Sequence, residues 1–270
     1  PWWENKPLPD LPFIKRHLVG NIRGRLDKKL APIVVVRGPR QIGKTTAQLQ
    51  LIEEFLKEGM HPKRILRVQF DDIPSLNSIM DKGPILRIVD WYEKNILGES
   101  LNEAARQKRK PYLFLDEVQN LEKWGEQLKS LVDNSTASVV MTGSSALRIE
   151  MGRDSLAGRI TTIESGVLSL TEIGKFFDLH LGDPFLADNG IEALTKKDFW
   201  ISLREHGISV KEDRDAAFRK FSERGGYPVS HKNPDVAWPN IADQLNETVV
   251  RRVIQHDLRF GERGRKRDAL

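Results

Sequence analysis

No cysteine occurs in the 270 residues of the chain, which excludes disulfides and thiolate metal sites and fits a cytoplasmic setting. No run approaches the ~20 uninterrupted apolar residues that a membrane-spanning helix needs, so no membrane partner is expected. The opening PWWENKPLPDLPF lacks the basic start and apolar run of an export signal. Pro1 stands where a methionine would, so a processed or trimmed chain is expected. Several catalytic signatures are missing too: there is no H-E-x-x-H, no G-x-S-x-G elbow and no kinase H-R-D. The triplets at Asn134 and Asn246 fit glycosylation sequons, but without a secretory signal they are coincidental.

What is present is a globular composition, 39% hydrophobic and 30% charged, long enough for one ordinary domain plus a smaller one. The net charge of +5 is modest, and its distribution says more. The last twenty residues, RRVIQHDLRFGERGRKRDAL, gather Arg263, Arg265, Lys266 and Arg267. That cluster reads either as a solvated terminus or as a nucleic-acid contact.

Along the chain, residues 1–31 read as an irregular Trp- and Pro-rich segment, with Trp2 and Trp3 packing on a neighbouring surface, and then a helix. Ile14, Leu18, Ile22, Leu26 and Leu30 recur at i, i+4 despite Gly20 and Gly24. From residue 32 the pattern changes. Short apolar runs at 33–36, 65–70, 112–116 and 138–143 alternate with amphipathic segments near 44–58, 84–97 and 121–133. That alternation predicts an α/β fold with helices covering a parallel sheet, over 32–168. Beyond it the strand signal fades. Segments 170–179, 198–207 and 213–226 read as helices with glycine stops, giving a helical module over 169–250. Residues 251–270 begin a further region, and the stop at Leu270 just after a helix-like stretch predicts a longer parent protein.

Four stretches carry chemistry. GPRQIGKT, residues 38–45, matches G-x-x-x-x-G-K-[ST] between an apolar strand and a helix, the context that gives the pattern its meaning. Its glycines let successive N–H groups turn inward on a phosphate, and the helix adds its dipole. Lys44 is expected at the β- and γ-phosphates and Thr45 on Mg²⁺. The strand YLFLD followed by Glu117 places two carboxylates at the sheet's C-terminal edge: Asp116 for the Mg²⁺ shell, Glu117 to orient and deprotonate a water. SVVMTGSS supplies a hydroxyl near the γ-phosphate, with Ser144 favoured over Thr142 and Ser145; the competing reading is that these hydroxyls cap the next helix. Among Arg148, Arg153 and Arg159, Arg159 is the first choice for an arginine that reaches a γ-phosphate in its own or a neighbouring subunit. The competing reading is an ordinary carboxylate-paired arginine. TKKD at 195–198 mimics a guanine-selecting motif but lacks the preceding buried strand, so ATP is the expected nucleotide.

Taken together, GPRQIGKTT, LDEVQNLEKW, VVMTGSSALRIE, LAGRITTIESGVLSLTEI and GGYPVSH resemble motifs that occur in this order in bacterial and archaeal AAA+-type P-loop ATPases. These are related to the STAND and archaeal ATPase clades and often carry a trailing domain of unknown function. The resemblance covers about residues 32–260. Pro39, Arg40, Gln41, Ile42, Gly43 and Thr46 complete the loop that carries it. It departs from the family at Val167 and Leu170, where Pro and Phe are usual, and in a longer 180–215 segment. It implies a three-layer P-loop NTPase core of sheet order 5-1-4-3-2 and a helical or winged-helix lid. It also makes Gly226 and Pro228 candidates for contact with the adenine. The function expected is Mg²⁺-dependent ATP hydrolysis driving a conformational switch or remodelling, with DNA or another nucleic acid, a protein or further copies of the chain as partners. The alternative is a slow nucleotide-gated scaffold that regulates a protein partner.

Overall fold

The computed structural model describes residues 1–70, 83–144, 154–182, 185–186 and 191–254. Ser145, Arg148, Arg153 and the basic cluster from residue 255 onward lie outside the described residues. The chain divides into two compact units, Pro1–Gly166 with Asn246–Leu270, and Val167–Leu245.

The first unit is built on five strands: β1 (Ile33–Arg37), β2 (Ile65–Gln69), β3 (Tyr112–Asp116), β4 (Ser138–Gly143) and β5 (Ile160–Glu164). All pair in parallel, in the order β2-β3-β4-β1-β5, which is the expected 5-1-4-3-2 counted from the other edge. The runs IVVV and VVM are apolar throughout because both faces of a parallel sheet are covered. Alternation along the strands divides the core in two. Ile33, Val35, Leu113, Leu115, Val139 and Met141 enter one cluster, and Val34, Val36, Phe114, Val140 and Ile163 enter the other.

Helices α1 (His17–Lys28) and α2 (Lys44–Lys57) cover the second of these faces. On the first lie α3 (Pro84–Tyr92), α4 (Leu101–Arg106) and α5 (Trp124–Asn134). This is a three-layer sandwich. In α1 the i, i+4 stripe holds for Leu18, Ile22 and Leu26, all buried. The flanking Ile14 and Leu30 fall outside the helix, which Lys29 ends in a left-handed conformation. Gly20 and Gly24 face open space, so they cost helix propensity but no packing. Trp2 donates its indole N–H to the Ile65 carbonyl at 3.1 Å, and Trp2 and Trp3 meet edge to face. The N-terminal segment therefore packs at the start of the edge strand β2, as the two tryptophans predicted.

The second unit contains α6 (Leu170–Phe176), α7 (Lys197–Ser209), α8 (Lys211–Arg224), α9 (Pro228–Lys232) and α10 (Trp238–Leu245), with no strand among the described residues. Ser169 and Glu172 form a capping box at the start of α6. His231, buried between Phe176 and Phe177, donates from Nε2 to the Gly225 carbonyl at 2.7 Å, since a carbonyl can only accept. Thr195–Asp198 spans the end of a 3-10 turn and the first residues of α7, with no strand just before it among the described residues. Among the described residues, no helix is long and apolar enough to cross a membrane.

Candidate functional site

Strand β1 delivers the chain to Gly38, where any side chain would collide with backbone: a Cβ there would sit 2.0 Å from the Ser165 carbonyl oxygen. Only glycine fits so close an approach. The loop then turns through Gln41 (φ 61°) and Gly43 (φ 90°), both left-handed. Ile42 is fully buried and anchors the loop, while Pro39 and Gln41 are exposed and Arg40 and Thr46 half-buried. Gly43 caps α2 without any side-chain acceptor, and the first turn holds no acidic residue. The first N–H groups of α2 thus lack a side-chain partner and carry the positive end of the dipole, which is what a phosphate needs.

Lys44 folds back over this loop. Its ammonium donates to the carbonyls of Gly38 (2.9 Å) and Pro39 (2.7 Å). Burial lowers its pKa to about 8, against the pull of Glu117 and Asp116. A phosphate offered to the loop would compete for this ammonium with neutral carbonyls, a contest that an anion wins.

The carboxylates stand at the C-terminal edge of β3. Asp116 is 0% exposed, and its Oδ2 accepts from the Thr45 hydroxyl at 2.7 Å and from Arg67 Nη2 at 2.9 Å. Its Oδ1 accepts from the Thr142 hydroxyl. Glu117 takes a left-handed backbone (φ 55°), an uncommon conformation for a glutamate. Its Oε2 accepts from the Ser144 hydroxyl at 2.9 Å and from the Gln119 amide. The hydroxyls of Thr142, in β4, and of Ser144, just past its end, thus divide their work. Thr142 holds Asp116, and Ser144 holds Glu117. Strand order explains the grouping, because β4 lies between β1, which carries the loop, and β3, which carries the carboxylates.

Two predicted residues lie elsewhere. Arg159 precedes β5 at the N-terminal edge of the sheet, where its carbonyl accepts from Ile33 N–H. Five residues of strand, roughly 17 Å, separate that edge from the loop. Its guanidinium binds Asp133 at 2.6 and 2.9 Å, and this bond holds the Asp133 carboxyl below its usual range. Within its own chain, then, Arg159 is a carboxylate-paired arginine and does not join the site. Pro228 opens α9 in the second unit, whereas the loop belongs to the first.

Sequence reasoning missed Arg16, Arg67 and Gln119. Arg16 donates to the Ile42 carbonyl at 2.6 Å and to the Gly166 carbonyl at 3.2 Å, bracing the loop from outside its motif. Nothing local in the sequence marks it. Arg67 did leave a signal: an arginine inside the apolar strand ILRVQ requires a carboxylate partner.

ATP and Mg²⁺ can be tested against these residues. Among the described residues, no group of three or more His, Asp or Glu could hold a metal unaided. The donors in place are one hydroxyl and one carboxylate. That set suits Mg²⁺, which keeps waters and takes phosphate oxygens for the rest of its shell. The residues therefore fit both groups: Thr45 and Asp116 for the metal, the loop and Lys44 for the phosphates.

Residues 30–174 match the family model of the AAA domain. Two uncharacterized proteins of Methanocaldococcus jannaschii are similar to the chain. One is 32% identical over 128 residues, 47% of this chain and 24% of the relative. The other is 27% identical over 176 residues, 64% of this chain and 35% of the relative. The matched stretches thus span between a quarter and about a third of these relatives. Among solved structures, a Walker-type ATPase of Pyrococcus abyssi aligns with TM-score 0.49 and 13% identity, over 95% of this chain and 77% of that one. The RuvB Holliday junction branch migration motor of Thermotoga maritima aligns with TM-score 0.36 and 18% identity, over 60% of this chain and 49% of that one.

Proposed function

The chain belongs to the AAA-domain family of P-loop ATPases, and from that premise we propose that it hydrolyses ATP with Mg²⁺ to drive a conformational change on a nucleic acid. One observation carries the catalytic part. Thr45 and Thr142 on Asp116, and Ser144 on Glu117, form two neighbouring hydrogen-bond sets at one sheet edge, beside the buried Lys44.

In this reading the loop N–H groups and Lys44 hold the β- and γ-phosphates, and Thr45 and Asp116 hold Mg²⁺. The metal, when bound, supplies charge neutralisation at the phosphates being separated. Glu117 orients a water and takes its proton, while Ser144 fixes the carboxylate from the β4 side. Arg159, remote from its own loop, would serve a neighbouring subunit's site in a homo-oligomer once released from Asp133. Gly226 and Pro228 would touch the adenine as the second unit acts as a lid. A cytoplasmic location accords with the absence of cysteine.

The nucleic-acid partner rests on the net charge of +5 and the basic stretch 251–267. Phosphate release with and without DNA, together with DNA affinity across a salt series, tests it. Binding that weakens steeply with salt and stimulates turnover supports the reading. Binding that is absent at low salt removes the nucleic acid from it. The scaffold reading has one observation in its favour: in this structure Glu117 Oε2 is engaged by both Ser144 and Gln119, an arrangement suited to slow turnover.

A further inference from the structure

Arg67 projects from β2 onto Asp116, and no motif of the family resemblance contains it. Its side chain is 15% exposed and the carboxylate it binds is fully buried. A buried carboxylate left without a cation is costly, and neutral hydroxyls do not cancel its charge. Thr45 and Thr142 are such hydroxyls. Lys44 spends its hydrogen bonds on the loop carbonyls. Among the described residues, Arg67 is the cation bonded directly to Asp116.

Its position on the carboxylate is specific. Arg67 Nη2 and the Thr45 hydroxyl bind the same oxygen, Oδ2. The same Nη2 reaches Gln69 Oε1 at 3.0 Å, while Nε is buried with no partner. The guanidinium is thus held along one edge, by Asp116 and its own strand neighbour. An arginine cannot leave this charge balance by losing a proton.

We infer that Arg67 is the resident counter-cation of the metal side of this site: it balances Asp116 when no divalent ion is bound and limits how strongly Mg²⁺ is taken up with the nucleotide. This rests on the assignment of Thr45 and Asp116 to Mg²⁺. Arg67 is a positioning residue here, acting through Asp116. Its charge lets the loop bind a nucleotide without metal and blunts the gain that the metal adds.

The test is calorimetric titration of ADP into the full 270-residue chain, once with Mg²⁺ and once with EDTA. The quantity read is the ratio of the two affinities, so no turnover is needed. Arg67→Gln keeps a donor for Oδ2 and removes the charge, and its ratio should exceed the wild-type ratio about tenfold. Arg67→Lys keeps the charge and should leave the ratio at the wild-type value, which a purely structural role would not predict. A Gln ratio that is unchanged or lower overturns the inference. Lys44→Ala separates this failure from that of the site itself. It should abolish ADP binding with and without metal, and undiminished binding would sink the site assignment and the inference with it.

Discussion

Burial holds the Lys44 ammonium at a pKa of about 8, whereas a bound phosphate would favour the charged form and raise it. Binding a nucleotide therefore takes up a proton wherever the pH lies between those two values. Affinity should be full below about 8 and fall by about tenfold per pH unit above it, until the bound-state value is passed. Nucleotide titrations between about pH 7 and 10 check this, and a flat profile would mean that Lys44 does not meet the phosphates. The gathering of Lys44, Thr45, Asp116 and Glu117 at one sheet edge was legible because each occupies a fixed place in a local motif. The place of Arg16, 26 positions from its partner, was not, and Arg67 signalled only that it needs a carboxylate, not that this is Asp116, 49 positions away. Such pairings are made by strand order and helix placement, which no local spacing encodes. Arg159 misled for the same reason. Its local context, a glycine before a strand, is real, but in a parallel sheet the start of a strand faces away from the loop.

Elements were easier to read than contacts. The four apolar runs became β1 to β4 because a strand covered on both faces needs no polar alternation. The i, i+4 stripe of α1 was visible, yet its ends were not, because they depend on Arg16 and Lys29 taking non-helical backbone. Capping boxes were an available signal that went unread: Ser100 with Glu103 at α4, and Ser169 with Glu172 at α6. In the second box the Ser169 hydroxyl accepts from Glu172 N–H at 3.2 Å, and the Glu172 carboxylate accepts from Ser169 N–H at 2.9 Å. Ser169→Ala should lower stability by about 1 kcal/mol. Denaturant unfolding checks the size, and amide exchange should place the loss in α6. An unchanged midpoint would show that the cap is dispensable.

At the scale of the molecule, the parallel order β2-β3-β4-β1-β5 sets the loop and the carboxylates at one edge and Arg159 at the other. If Arg159 serves a neighbour's nucleotide, turnover per chain should rise with protein concentration. Arg159→Ala should then lower kcat by about 10³-fold while leaving ATP affinity within a factor of about two. Rates independent of concentration and unaltered in the variant would leave Arg159 as the partner of Asp133 alone. The compact units divide at Gly166 and again at Asn246, and of this the sequence carries only the fading of strand signal near residue 168.

We propose that this edge of the sheet hydrolyses ATP and that Glu117 activates the water. Phosphate release from MgATP, measured beside ATP affinity for the wild-type chain and Glu117→Gln, tests it most directly. The wild type should release phosphate, the variant should lose about 10²-fold or more of that rate, and affinity should stay unchanged within a factor of about three. Equal release by the two chains, or none from either with or without DNA, would contradict it.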